Sequence, residues 1–351
     1  MKKLTLAVLL SFVSAAALFA YNPPVFGDSV YELSSPKTLT GGASVAGGAI
    51  FAGGPDSIIS NPAISAREQR VILNAGYTAL ISTNDADSKK FGSAFQTSIL
   101  VPFKICILTG YVNGTFAPFN DMNLRNSMTF KTAVSKPITE KLDLGLGLNG
   151  GFAWGGQGTW GLSANIGGLY TWGDLAFMKN FRIGLSLLNL GQNYNYTAAK
   201  GIYDGQAQYP SLLTLKTGVA ASLFKNDIID LAYAFDITAP FFQNAIFDLS
   251  LQFAIKDMFF INVSEKYNLR ESIARNNYFI PAVGINFKFS FGFKNNDYMS
   301  KNGWEESELN TYAAYRNINN TVTAASIGAD LILGMKDTTP PVIELWLDDE
   351  E

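Results

Sequence analysis

The chain contains no histidine and a single cysteine. Without histidine there is no imidazole base, no His-dependent triad and no His metal ligand. One cysteine excludes an intrachain disulfide and any Cys-cluster zinc site. Charge is scarce: Asp, Glu, Lys and Arg make up 16% of the 351 residues, against roughly 25% in an average soluble protein. Their balance, 26 basic to 29 acidic, gives a net charge of −3, the wrong sign for a nucleic-acid binder. After residue 20 no apolar run reaches the ~18 residues that a spanning helix needs. Apolar residues, by contrast, reach 48% and aromatics 13%, with 32 glycines. That composition is not that of a disordered chain.

Residues 1–20 read as a secretory signal peptide. Met1-Lys2-Lys3 is a charged start, Leu4 to Phe19 is apolar, and Ala20 is a small residue before Tyr21. This is the charged, apolar, small order of a cleaved leader. Cys106 lies far from the cut, so no lipid anchor is offered.

From residue 70 onward the apolar period is two, the period of a strand with unlike faces. In 141–154 the residues Leu142, Leu144, Leu146, Leu148, Phe152 and Trp154 share one face, and Asp143, Gly145, Gly147 and Asn149 the other. Trp160, Leu162, Ile166, Tyr170 and Trp172 share a face in 160–172, where Leu169 breaks the rule. The same alternation runs through 181–187, 213–223, 247–255 and 279–289. Weaker versions occupy 71–82, 91–102, 105–116, 127–136, 228–237, 258–267, 309–317 and 321–333. The pattern predicts about 14 strands, with boundaries uncertain by about 2–4 residues.

A secreted sandwich would turn the apolar face inward; a membrane barrel turns it to lipid. Three features favour the barrel. The 160–172 strand extends roughly 40 Å at about 3.3 Å per residue, long for a sandwich. Its apolar row begins and ends in tryptophan, as an interfacial girdle requires. The polar rows are small and neutral rather than rich in Lys and Glu. An open sheet edge is not tolerated in hydrocarbon, so the strands must close. The expected fold is therefore all-β, an antiparallel transmembrane β-barrel over 67–334. It is flanked by an N-terminal plug, or hatch, over 21–66 and an acidic tail over 335–351.

Segment 21–66 does not alternate. It is rich in Gly, Ala and Pro, yet carries Ile50, Phe51, Ile58 and Ile59, which suits a compact piece packed inside something else. Gly41-Gly42-Ala43, then Asp56, then Asn61-Pro62-Ala63 resembles the N-terminal hatch signature of the FadL family of outer-membrane long-chain fatty acid transporters. PorV/PorQ-type and spirochaetal UPF0164-type proteins are similar and nearer in size. Leu188-Asn189-Leu190-Gly191 and Tyr209-Pro210 resemble further elements of that group. The chain departs from typical outer-membrane barrels at its end, where Met335 to Glu351 is acidic rather than a strand closed by an aromatic residue.

The resemblance implies a hatch that plugs the lumen and a kinked strand that opens sideways to lipid. It implies a hydrophobic ligand, a fatty acid by family expectation, in contact with outer-membrane lipid. Hatch gating would then rest on Gly41, Gly42, Ala43, Asp56, Asn61, Pro62 and Ala63. A kink needs glycine or a bulge, and Gly110, Asn113 and Gly114 in the third strand are the first place to look. Insertion would use the β-barrel assembly machinery. The alternative is a PorV-like assembly protein that docks a secreted partner and passes no solute; a general porin is a third reading, against which a plugged lumen argues. No catalytic, cofactor or metal site is expected. Gly145-Leu146-Gly147-Leu148-Asn149-Gly150 matches a dinucleotide fingerprint, but that motif must open a helix, and here it sits inside a strand. Glu265, Lys266 and Arg270 read as loop or interface charges, and Asp348 to Glu351 as a solvated tail.

Overall fold

The computed structural model describes residues 33–40, 44–47, 54–84, 89–117, 126–154, 159–192, 195–197, 206–208, 213–240, 242, 244–273, 279–291, 306–318 and 322–336. The leader, Gly41-Gly42-Ala43, Tyr209-Pro210 and residues 337–351 lie outside them.

The strands are β1 (Arg70–Ser82), β2 (Phe91–Pro102), β3 (Ile107–Phe116), β4 (Asn126–Pro137), β5 (Leu142–Trp154), β6 (Thr159–Leu175), β7 (Met178–Gln192), β8 (Asn195–Thr197), β9 (Gln206–Gln208), β10 (Thr214–Lys225), β11 (Ile229–Pro240), β12 (Ile246–Ile255), β13 (Phe259–Asn268), β14 (Ala282–Phe291), β15 (Ser307–Ile318) and β16 (Val322–Lys336). β8 and β9 form a small hairpin of their own; the other fourteen close into one barrel. Every neighbour pair is antiparallel, and β1 closes on β16 from Arg70↔Lys336 to Ser82↔Val322. The fold class is the one the alternation predicts.

The faces also point as expected. Leu146, Leu148, Trp160, Leu162, Trp172 and Ile327 are each at least half exposed, while Asn74, Gln96, Asn149, Asn165, Gln252 and Asn262 are buried. A soluble sheet protein has the reverse arrangement, so the outer surface is made for lipid. Phe116, Phe152 and Trp154 pack ring to ring at one rim, and Tyr170 with Trp172 at the other. Turns 103–106, 138–141, 176–177, 226–228 and 256–258 are short, and 83–90, 117–125, 193–213 and 269–281 on the opposite rim are long. Short turns mark the periplasmic side and long loops the outside; the exceptions are the long 292–306 connection on the short-turn rim and the short 155–158, 241–245 and 319–321 connections on the other. β1 starts on the short-turn side, so the N-terminal segment joins the barrel from the periplasm.

Several expectations need correction. The 160–172 strand runs from Thr159 to Leu175, and the 279–289 strand starts only at Ala282. In β10 a register shift between Ser222 and Phe224 leaves Leu223 as the extra residue and turns Phe224 outward. β6 and β7 shift register three times. One shift is the Asn-Leu-Gly element: Asn189 and Gly191 take φ of 60° and 141°, and the Asn189 N–H donates to Asn165 Oδ1 at 2.8 Å. Glu265 and Lys266 are strand residues of β13, and Lys266 faces the lumen and pairs with Asp248 at 3.1 Å. Leu169 breaks the alternation because it turns inward, where it packs with Ala46, Ala63, Ala220 and Ala234.

Candidate functional site in the barrel lumen

The described N-terminal residues lie within the lumen. A short helix, α1 (Pro36–Leu39), starts where Ser35 caps Thr38 and Pro36 supplies a fixed φ. A 3-10 turn covers Pro55–Ile59. Their wall partners stand on opposite sides of the ring. Ser34 Oγ is 3.0 Å from the Tyr111 hydroxyl of β3. The Thr40 carbonyl accepts from Asn262 Nδ2 of β13 at 2.9 Å. The Val45 N–H donates to Asp236 Oδ2 of β11 at 2.8 Å, and Ser186 Oγ of β7 donates to the Ser60 carbonyl at 2.6 Å. A segment tied to β3, β7, β11 and β13 at once is inside the barrel.

Asn61 is its hub and is fully buried. Its Oδ1 accepts the Ala63 N–H at 2.9 Å, which closes the turn around Pro62. Its Nδ2 donates to the Val45 carbonyl at 2.8 Å and to the Gly168 carbonyl of β6 at 2.9 Å. One amide therefore ties two parts of the lumenal segment to each other and to the wall. The wall makes room by omitting side chains. A Cβ on Gly145 would stand 2.6 Å from the Ala63 nitrogen, and one on Gly167 would overlap Asn61 Oδ1 and reach 2.7 Å from Pro62 Cδ. On Gly184 it would be 2.7 Å from the Ala46 nitrogen, and on Gly218 2.8 Å from Val45 Cγ1. Gly145 pairs with Gly167, and Gly184 with Gly218. Two glycine pairs on four adjacent strands thus form seats for Asn61-Pro62-Ala63 and for Val45-Ala46.

A second anchor is charged. The Lys37 ammonium lies 2.5 Å from Asp330 Oδ2 of β16 and 3.5 Å from Asp56 Oδ1, and 4.8 Å from the centre of the Tyr312 ring. Asp330 also accepts from the Tyr312 hydroxyl at 2.6 Å and from Asn74 Nδ2. Burial works against the Lys37 charge, but the Asp330 and Asp56 carboxylates outweigh it and hold its pKa well above the ordinary lysine value. Burial raises the Asp56 pKa, against the pull of Lys37. At the junction with the barrel, Arg67 pairs with Asp143 of β5 at 2.8 Å and donates to the Thr139 carbonyl. Burial also raises the Glu68 pKa, opposed by the Arg70 and Gln69 backbone N–H groups and by Arg70.

Of the residues singled out from sequence, Asp56, Asn61, Pro62 and Ala63 come together in this lumenal assembly, while Gly41, Gly42 and Ala43 fall outside the described residues. Gly110 lies on the lipid side of β3, Gly114 points the same way but is buried beneath the Phe95 ring, and Asn113 faces the lumen. β3 pairs with β2 and β4 without a register shift, so the strand is unkinked in this state. Beside Gly110 lies an open apolar groove of about 590 Å³, lined by outward Leu73, Ile99, Val112, Phe130 and Leu331 and by parts of Asn74, Ser98, Tyr111 and Lys131. The sequence reading missed Lys37, Asp330, Asp236 and the four seat glycines. The glycines left a signal: all four stand at inward positions of neighbouring strands.

No family model matches the chain, and no curated protein sequence matches it. Solved structures do. A deltaS2 mutant of the TodX monoaromatic hydrocarbon channel aligns over 88% of this chain and 99% of its own, at 10% identity and a TM-score of 0.50. The fold is FadL-like. The Ralstonia pickettii toluene transporter TbuX aligns at 12% identity and a TM-score of 0.49, covering 86% of this chain and 98% of that one. A Pseudomonas aeruginosa FadL homologue gives 10%, 0.49, 86% and 98%. This FadL-like barrel, with its lipid-facing apolar wall, is an outer-membrane β-barrel.

Proposed function

We propose that this barrel conducts hydrophobic small molecules across the outer membrane. Long-chain fatty acids are the ligand class that the hatch motif favours. The reading rests above all on the open apolar groove of about 590 Å³ beside Gly110 of β3. A hatch seated in the lumen obstructs a straight way through, and an apolar solute has a favourable destination sideways, in lipid. The ligand enters from the long-loop side and the hatch shifts on Asn61, Asp56 and its glycine seats. Exit is lateral, where Gly110 thins the outer face of β3, Gly114 lies beneath the Phe95 ring, and Asn113 faces the ligand. The shared fold with a monoaromatic hydrocarbon channel is in keeping with an apolar cargo.

The test is ligand binding by the purified protein in bilayers, with a fluorescent fatty acid and with toluene as separate arms. Saturable binding of either supports a hydrophobic channel, and the stronger arm names the class. Binding of neither, together with a secreted protein recovered by crosslinking in cells, would replace this reading with that of a docking barrel.

A further inference from the structure

The inner face of β2, β3 and β4 carries four buried polar side chains with an unmet hydrogen bond. Gln96 Oε1, Asn113 Oδ1, Thr115 Oγ1 and Thr129 Oγ1 have no partner, and none of the four residues is more than 2% exposed. They are neighbours. Gln96 stands opposite Asn113, and Asn113 opposite Thr129; Thr115 is the next inward residue along β3. Cross-strand partners sit about 5 Å apart, so the atoms form one patch. Buried polar groups are almost always satisfied, and a cluster that is not signals a missing water or ligand. The other half of Gln96 is committed, since its Nε2 donates to Asn74 Oδ1 at 2.5 Å. Lys131, the next inward residue on β4, already has a partner.

We infer that this patch is a head-group subsite for an apolar molecule bearing an O–H group. The inference rests on the proposed channel function and narrows its cargo. The chemistry of the atoms decides the class. Two are carbonyl oxygens, which only accept and so require a donor. Two are hydroxyls, which can donate or accept. An alcohol, a phenol or a protonated carboxylic acid serves both kinds with one oxygen-bearing head. A bare hydrocarbon satisfies none of them. The patch lies toward the long-loop end of β3 and is buried, so a ligand from outside reaches it once the hatch shifts.

The experiment compares matched pairs, 1-decanol against decane and cresol against toluene, by displacement of a fluorescent apolar probe from the full-length protein in nanodiscs. The wild type is expected to prefer the hydroxylated member of at least one pair by about ten-fold or more, the affinity equivalent of one or two hydrogen bonds. The pair that shows the preference tells an aliphatic cargo from an aromatic one. Thr115→Val/Thr129→Val and, separately, Asn113→Leu should shrink that preference to about two-fold or less. Thr132→Val, which faces lipid, should leave it intact. Heat-modifiable gel mobility checks that each variant is a folded barrel. Equal binding of both members in the wild type, or a preference that survives in both inward variants, overturns the subsite and leaves the channel standing. Binding of no member of either pair overturns the channel itself.

Discussion

Gly167 of β6 stands where Asn61 needs to be: a Cβ on Gly167 would overlap Asn61 Oδ1 and reach 2.7 Å from Pro62 Cδ. The next residue, Gly168, faces the other way. A Cβ there would meet Leu144 Cδ2 at 3.6 Å and the Asp143 carbonyl oxygen at 3.9 Å, both ordinary contacts. Two adjacent glycines therefore have different reasons to be glycine, one set by the hatch and the other by none of its surroundings.

This gives a paired prediction. Gly167→Ala should loosen the hatch by about 1–3 kcal/mol, the usual cost of overpacking, while Gly168→Ala should change little. Hydrogen exchange at the amides of Ser60, Asn61, Ile64 and Ala66, which bond within the hatch, reads the difference. Faster exchange in Gly167→Ala with the barrel strands unchanged is the expected result. Equal protection in both variants would mean that the seat does not hold the hatch.

Asn61 offers a test of chemistry at fixed size. Asn61→Ala leaves the Val45 and Gly168 carbonyls without their donor, at about 1–3 kcal/mol for a buried unsatisfied group. Asn61→Asp retains the acceptor for the Ala63 N–H but aims a negative charge at the two carbonyls, and should be the worse of the two. Ion conductance in planar bilayers reports it: openings should become more frequent in the order wild type, Asn61→Ala, Asn61→Asp. The reverse order of the two variants would show that the amide donor is not what closes the lumen.

Much of the fold could be read from sequence because a two-residue period survives burial of either face. All fourteen barrel strands announce themselves through rows such as Leu144, Leu146 and Leu148. Exceptions to the period carried information too. Leu169 looks like an error in an inward, polar row until the hatch supplies Ala46 and Ala63 as its partners. The site was half legible. Asn61-Pro62-Ala63 stood out as a local motif, and its role is local in part, through the Asn61 to Ala63 turn. Lys37 and Asp330 were illegible because 293 residues separate the partners, and no local rule links them. The seat glycines were visible as residues but not as seats, since that requires the strand register and the path of the hatch together.

The Lys37 anchor predicts an asymmetric response to mutation and to pH. Lys37→Met leaves Asp330 and Asp56 buried without their cation, and breaking a buried pair on one side costs about 3–5 kcal/mol. Lys37→Met/Asp330→Asn should recover part of that loss. The folded-state pKa of Lys37 lies above its ordinary value of 10.5. Its contribution is therefore fully present below pH 10.5 and is lost only as pH climbs through the raised value. Asp56, whose pKa is raised, has a window of its own: its native form takes up a proton more readily than its unfolded form, so its contribution is present in acid and is lost as pH rises from the ordinary carboxylate value through the raised one. Hatch protection measured by hydrogen exchange, corrected for intrinsic rates, should therefore decline as pH rises through the Asp56 window and fall again only in strong alkali. Protection that rises with pH through the acid range would contradict this assignment.

Gly110 tests the sideways route without touching the hatch. Its missing side chain opens the floor of the outer groove, and a Cβ there would meet only Ile99 Cγ2 at 3.4 Å. Gly110→Phe should fill part of the roughly 590 Å³ with a group suited to lipid contact, so the barrel should fold and keep its heat-modifiable mobility. If ligand leaves through the wall at β3, uptake into cells should drop by about ten-fold, equivalent to ~1.4 kcal/mol on the exit barrier, while equilibrium binding to the purified protein changes little. Gly150→Phe is the control: Gly150 also has space, with Leu162 Cδ1 at 3.8 Å, but lies two strands away on β5. Equal uptake by the two variants would move the exit away from β3, and loss of binding in Gly110→Phe alone would make the outer groove a binding site rather than a passage.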